Sequence, residues 1–173
     1  GVGLLLIQMA KAQSAYVYAT VSTEQKASLA SSVGADKVIL YSRDDFAEEI
    51  NRDTAGEGIQ VVYDSVGLDT FALGVKCLAR RGMMVLYGGS SGPIPPVDLG
   101  ILGERSLALS RGSLPNFTAT REELLRRAND VLNWIASGRL KLHIHKSYPL
   151  AEAAEAHREL EGRQTAGKLL LIP

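Results

Sequence analysis

"GVGLLLIQMAKAQSAYVYATVSTEQK", residues 1–26, decides how the rest of the chain is read. Gly1 and Gly3 stand before an apolar run with helical spacing. Leu4, Leu5, Ile7, Met9 and Ala12 fall on one face of a helix, with Gln8 and Lys11 on the other. A strand-like stretch, residues 15–21, follows it. Glycine pair, helix and strand make the second half of a nucleotide-binding βαβ unit. The strand that would feed into the glycines is missing, and the chain does not begin with Met. It therefore reads as the C-terminal part of something longer.

Outward from that unit, strands and helices alternate. "STEQ" offers a capping box with Ser22 as N-cap and Gln25 three residues on, and Gly34 ends the helix that follows. "DKVILY" is a short strand, and "SRDD" opens a helix with Phe46 and Ile50 at i,i+4 that ends near Gly56. "IQVVYDSVG" is a nearly continuous apolar run, as expected of a parallel strand buried on both faces. Residues 69–79 read as helix, and "GMMVLYGGSSG" is another buried strand that runs into glycines and serines. This alternation argues for an α/β fold with a doubly wound parallel sheet, lacking its first strand.

Beyond it, "GPIPPVDLGILGE" is a proline-bearing crossover with a short helix, and "RSLALSRG" is a further strand. "TREELLRRANDVLNWIASG" is the best helix of the chain. Thr120 and Glu123 form its capping box, and Leu124, Leu125, Ala128, Val131, Leu132 and Ile135 are its expected buried face. Gly138 is its end. A strand at residues 140–146, a helix at 151–161 and the strand "GKLLLIP" complete the chain.

Composition narrows the function classes. Nineteen basic and nineteen acidic residues cancel, so the electrostatic footprint of a nucleic-acid binder is absent. No apolar stretch approaches the ~20 residues of a membrane span, and no signal peptide is evident. With one cysteine, Cys77, there is no internal disulfide, and a cytoplasmic compartment is the default.

In an open α/β sheet, ligands sit beyond the carboxyl ends of the strands. The residues there are Gly1, Val2 and Gly3, then Ser22, Tyr41, Ser65 to Gly67, and Tyr87 to Gly92. Glycines and small hydroxyl residues recur, which suits close backbone approach to phosphates and sugars. Rival chemistries lack their residues. None of the six tyrosines has a lysine four residues on, as a short-chain dehydrogenase relay needs. The second-strand end reads "TVST", without the ribose-binding carboxylate of a methyltransferase.

His143 and His145 share one strand face at i,i+2 but have no third ligand nearby, so no metal site is assigned and a solvated face is expected. His157 is read as a surface or packing residue, Cys77 as a buried structural thiol and Trp134 as packing. Asp64, at the end of a buried strand, suits either a functional carboxylate or a cap on the next turn.

At the level of whole motifs the chain resembles the zinc-independent quinone oxidoreductases, the zeta-crystallin-like branch of the medium-chain dehydrogenase/reductase superfamily. The matching stretches are "GVGLLLIQMAKA", "ATVSTEQK", "GADKVILY", "VVYDSVGLDTF", "CLARRGMMVLYGGSSGP", "TREELLRRANDVLNWIASG" and "YPLAEAAEAHRELEGRQTAGKLLLIP". They cover nearly the whole chain in order. The resemblance implies a Rossmann domain with its linking helix over residues 1–138. A segment at 139–173 would pack on a GroES-like catalytic domain absent from the chain.

It also implies NADPH as cofactor, hydride transfer to a quinone or related electrophile, and no catalytic side chain of the acid–base kind. Gly1, Val2 and Gly3 would approach the pyrophosphate. Ser22, where the family often has glycine, would join Lys26 and Tyr41 around the adenosine ribose and its phosphate. Ser65 and Gly67 belong to the same strand-end set. Tyr87, Gly88, Gly89, Ser90, Leu109, Ser110 and Arg111 would lie toward the nicotinamide, and Arg163 would reach back to the cofactor. The resemblance further implies a homodimer joined along the strand from Ser106 to Ser110.

The residues bear separately on cofactor choice. An NAD-specific site places Asp or Glu about 20 residues past the glycines. Thr20, Val21 and Ser22 stand there instead, with Lys26 a turn further on, which favours NADPH over NADH. An enal or enone reductase on the same scaffold and a non-enzymatic crystallin-like protein are the alternatives. Expressed alone, the chain is expected to be poorly soluble or inactive.

Overall fold

The computed structural model describes residues 1–162 and 165–173. They form two compact units, Gly1–Ile39 with Arg127–Pro173, and Leu40–Arg126.

In the first unit, α1 (Val2–Ala12) leads to β1 (Tyr18–Val21), α2 (Glu24–Ser32) and β2 (Lys37–Leu40), and β1 pairs with β2. Ile7, Ala19 and Ala30 are buried together, with Val17, Val21, Val33, Ala35 and Val38 packed around them. Gln8, on the other face of α1, is half-buried. Its side-chain amide donates to Lys141 O and accepts from Lys141 N–H, at 3.1 and 2.8 Å. The N-cap of α2 is Thr23 rather than Ser22. Thr23 is the residue with extended backbone, and its hydroxyl takes the Lys26 N–H at 3.3 Å.

The same unit holds most of α7 (Arg121–Ala136), then β6 (Ile144–Pro149), a short 3₁₀ turn, α8 (Ala153–Glu161) and β7 (Lys168–Ile172). The capping box of α7 forms in both directions, Thr120 N–H to Glu123 Oε2 and Glu123 N–H to Thr120 Oγ1, each 3.2 Å. The expected buried face does not form: Leu124, Leu125 and Leu132 are exposed. Ala128, Val131 and Ile135 of that face are half-buried, as is Trp134. β6 begins four residues later than its apolar pattern suggested. Gly138 (φ +74°) ends α7, Leu140 N–H caps it on Trp134 O at 3.0 Å, and Lys141 N–H is taken by Gln8. Those backbone groups are spent before a ladder can start. β6 and β7 pair in parallel.

The second unit carries α3 (Phe46–Asp53), β3 (Ile59–Asp64), α4 (Phe71–Lys76), β4 (Leu78–Leu86), α5 (Gly100–Gly103), β5 (Ala108–Arg111) and α6 (Leu114–Phe117). Asp45 caps α3, accepting the N–H groups of Ala47 and Glu48. The helix ends at Asp53, short of Gly56, in a turn where Ala55 and Gly56 both take positive φ. β3, β4 and β5 form a parallel sheet in that order.

Three expectations fail in this sheet. β4 starts at Leu78, where the apolar spacing suggested helix. Ile59 N–H bonds Cys77 O at 2.8 Å, and that pairing ends α4 early. β3 is not buried on both faces: Val61 and Tyr63 are 42% and 57% exposed, as is Met83 beside them at 41%. The core lies on the other face, where Phe71, Leu78, Met84 and Leu86 are buried against residues of the 92–107 crossover such as Ile94, Val97 and Ile101. β5 starts two residues late because Leu107 N–H is used to close α5 on Leu102 O, 2.8 Å.

Candidate functional site

In the first unit, Gly1 is the N-cap of α1, so Val2 and Gly3 form its first turn. A Cβ on Gly3 would meet nothing within 4 Å, while one on Gly1 would lie 3.3 Å from Gly167 O. There is open space over Gly3 and none to spare at Gly1. The N-terminal turn of α1 favours an anion through its N–H groups and helix dipole. Ser22 is half-buried at the end of β1.

In the second unit, parallel pairing puts the carboxyl ends of three strands at one edge. Asp64 pairs with Leu86 and Leu86 with Arg111. The loops that follow, with Ser65 and Gly67, with Tyr87, Gly88, Gly89 and Ser90, and after Arg111, therefore leave the sheet side by side. Leu109 and Arg111 are exposed and Ser110 half-buried. Tyr41 follows β2 and is half-buried within this unit. Arg163 lies outside the described residues.

The β3 and β4 loops are joined backbone to backbone. Tyr87 N–H donates to Asp64 O at 2.9 Å, Ser90 N–H to Ser65 O at 3.1 Å and Ser91 N–H to Val66 O at 2.9 Å. The Ser91 hydroxyl adds a bond to Val66 O and accepts Asp69 N–H, at 2.8 and 3.1 Å. A Cβ on Gly88 would lie 2.6 Å from Ser65 O, and one on Gly67 3.1 Å from the Gly89 Cα. Gly67 also takes φ +92°, the left-handed region that favours glycine. Only glycines let these two loops lie so close. Gly88 and Gly89 make no backbone bond through their N–H groups among the described residues, which leaves two donors for a ligand.

Asp64 resolves the question its position raised: it caps the turn. Its Oδ1 accepts Val66 N–H at 2.7 Å and Gly67 N–H at 3.1 Å, and the Thr70 hydroxyl lies 3.0 and 2.9 Å from its two oxygens. Thr70 was not singled out from sequence, and Ser91 only as a member of the run from Tyr87 to Gly92. Nothing in the spacing of Thr70 sets it apart from other loop hydroxyls.

The histidines part company. His143 lies outside β6, and His145 is half-buried with Nε2 3.3 Å from Glu159 Oε1, so a solvated strand face does not describe it. His157 is exposed. Cys77 is buried, with its thiol pushed up to about 12 by burial, and donates to Leu73 O at 3.1 Å. Trp134 is half-buried with the Arg139 guanidinium over its ring. Among the described residues no group of three or more His, Cys, Asp or Glu could hold a metal ion. A cleft of about 330 Å³ lined by Ala55, Glu57, Arg80, Glu104 and Arg105 opens at the amino ends of the strands, away from these loops.

Comparison with known proteins places this geometry. Residues 33–171 match the zinc-binding dehydrogenase family. The chain belongs to that family. It is 46% identical to quinone oxidoreductase 1 of Escherichia coli (strain K12) over all of this chain and 54% of that protein. It is 39% identical to a 2-haloacrylate reductase from a Burkholderia species, over all of this chain and 53% of that one. A crystal structure of Escherichia coli quinone oxidoreductase complexed with NADPH superposes with TM-score 0.93 over the whole chain and 54% of that structure. The α/β fold with parallel sheets is thus that of the cofactor-binding half of the medium-chain dehydrogenase/reductase superfamily. The chain spans about half the length of the curated relatives it matches.

Proposed function

We propose that the chain is the cofactor-binding part of an NADPH-dependent quinone oxidoreductase. The observation that carries this reading is the bonded pair of glycine loops at the carboxyl edge of β3 and β4. It supplies backbone N–H donors and no side-chain bulk, at the place where α/β sheets bind nucleotides. The NADPH complex of the Escherichia coli relative supports the choice of cofactor.

When bound, NADPH supplies the hydride that the quinone accepts. This chain's residues bind and orient. Gly1, Val2 and Gly3 offer the first turn of α1 to the pyrophosphate, with Lys26 and Ser22 toward the adenosine ribose phosphate and Tyr41 beside it. Ser65, Gly67, Tyr87, Gly88, Gly89, Ser90, Leu109, Ser110 and Arg111 shape the nicotinamide end. No side chain of this chain is assigned a proton-transfer role; positioning is the main catalytic contribution.

The proposal includes zinc-independent turnover, a cytoplasmic enzyme, and a homodimer joined at the edge of β5. Residues 139–173 would serve a GroES-like catalytic domain. The zinc-independent reading and that domain rest on the sequence resemblance. No helix among the described residues is long and apolar enough to cross a membrane.

The Burkholderia relative favours a second reading, reduction of an activated carbon–carbon double bond on the same scaffold. NADPH oxidation by the full-length protein separates the two, with 1,4-benzoquinone, an enone and 2-chloroacrylate tested side by side. Faster turnover with the quinone is expected. Turnover confined to the alkenes selects the second reading, and none with any acceptor overturns both. Cofactor choice has its own test. Lys26→Ala should cost ~1.5–3 kcal/mol of NADPH affinity, the scale of a hydrogen bond to a charged group, and leave NADH affinity nearly unchanged. Equal losses would mean that Lys26 supports the fold.

A further inference from the structure

Asp64 and Thr70 are the polar side chains buried among the described residues, each 5% exposed. Burying a carboxylate is costly unless its oxygens are satisfied, and here the partners are specific. Two are N–H groups of the 65–67 turn and the third is the Thr70 hydroxyl. Thr70 occupies the N-cap of α4, where a threonine hydroxyl ordinarily takes a helix N–H. It makes no such bond and faces Asp64 instead. The hydroxyl serves the turn, not the helix.

We infer that Asp64 and Thr70 are positioning residues for the loop after β4. The carboxylate fixes the 65–67 turn, and the turn carries Gly88, Gly89 and Ser90. Contact between the loops is backbone on backbone, through Ser65 O and Val66 O, and no flexible side chain lies between to absorb a shift. Loosening the carboxylate therefore moves the donors that the ligand meets. Ser91 closes the joint from the other side, its hydroxyl bridging Val66 O and Asp69 N–H. The functional consequence rests on the NADPH reading; the structural one rests on the hydrogen bonds alone.

The test uses the full-length protein with Thr70→Val, Thr70→Ser and Ser91→Ala. In the cofactor-free protein, Thr70→Val should speed amide exchange at Ser90 and Ser91 about tenfold, the scale of one lost charge-assisted hydrogen bond. NADPH dissociation constant and KM should rise by a similar factor, with kcat at saturating NADPH changed less than about twofold. Thr70→Ser, which keeps the hydroxyl, should restore both to within about threefold. Should Thr70→Val fail to fold, Ser91→Ala must weaken NADPH and speed exchange at Asp69. A Thr70→Val protein that melts earlier but keeps wild-type exchange at Ser90 and Ser91 overturns the inference, because the pair then only anchors α4. Wild-type protein that binds no NADPH overturns the cofactor reading instead, and the exchange result still decides the positioning role.

Discussion

At Gly58 the backbone takes φ +76°, and a Cβ would lie 2.6 Å from Cys77 O and 2.8 Å from Ala79 N. Both atoms are backbone at the junction of α4 and β4, so no side-chain rotation relieves the clash. Gly58→Ala should lower stability by about 3 kcal/mol, combining left-handed strain with a steric shift. A denaturant midpoint within error of wild type would refute this. Tyr148 is the opposite case. Its ring is buried under the Lys146 ammonium at 4.3 Å, and its hydroxyl is buried with no partner among the described residues. Tyr148→Phe keeps the ring contacts and removes an unpaired polar atom, so stability should hold or rise by up to ~1 kcal/mol. A fall of that size would reveal a partner for the hydroxyl. Sequence alone marked neither residue. Gly58 precedes an ordinary apolar strand, and its close approach depends on Cys77–Ala79 arriving from elsewhere in the chain. The glycines at strand ends were legible because the α/β pattern says where to look. Asp64 was legible as a position, but its function as a cap required Thr70 to be in place.

Between elements, Lys11 and Asp36 tie the end of α1 to the turn before β2. Lys11 Nζ donates to both Asp36 oxygens, at 2.8 and 2.7 Å, and to Ala15 O; Asp36 Oδ2 also accepts Val17 N–H. The Lys11 hydrogen bond first, then the Val17 N–H, holds the Asp36 carboxyl below the ordinary aspartate value. A depressed carboxyl contributes stability that is present above the unfolded-state pKa, near 4, and lost as pH falls through the lower folded-state value. Asp36→Asn should therefore flatten part of the acid limb of stability below about pH 4 and change its slope little at pH 7. An acid limb identical to wild type would mean that the pair is solvated in solution. Elements that end in their own caps were readable in advance, as the Thr120–Glu123 box and Gly138 show. Those bounded by partners from afar were not. β4 gained Leu78 from its pairing with Ile59, and β6 lost Leu140 and Lys141 to a helix cap and to Gln8. The leucines of α7 fit a helical stripe, yet the stripe does not say what covers it.

On the scale of the whole molecule, β5 pairs with β4 along one edge, and its other edge has no strand beside it among the described residues. Such an edge presents unpaired N–H and C=O groups, and soluble proteins blunt it or use it. Ala108–Arg111 carries no proline, and Leu109 is 37% exposed. A two-fold axis between Leu109 and Ser110 would pair two copies antiparallel, setting Leu109 against Ser110 and Arg111 against Ala108 of the second copy. No like charges would meet across that register. The homodimer proposed above should therefore form by joining β5 edges into one continuous sheet. Two variants of the full-length protein test it by different means. Ala108→Pro removes a ladder donor, and Leu109→Lys places a desolvated charge at the centre of the pairing. Each should shift sedimentation at low concentration toward the monomer, with the fold retained by circular dichroism. A dimer that survives both substitutions would place the subunit interface on another surface.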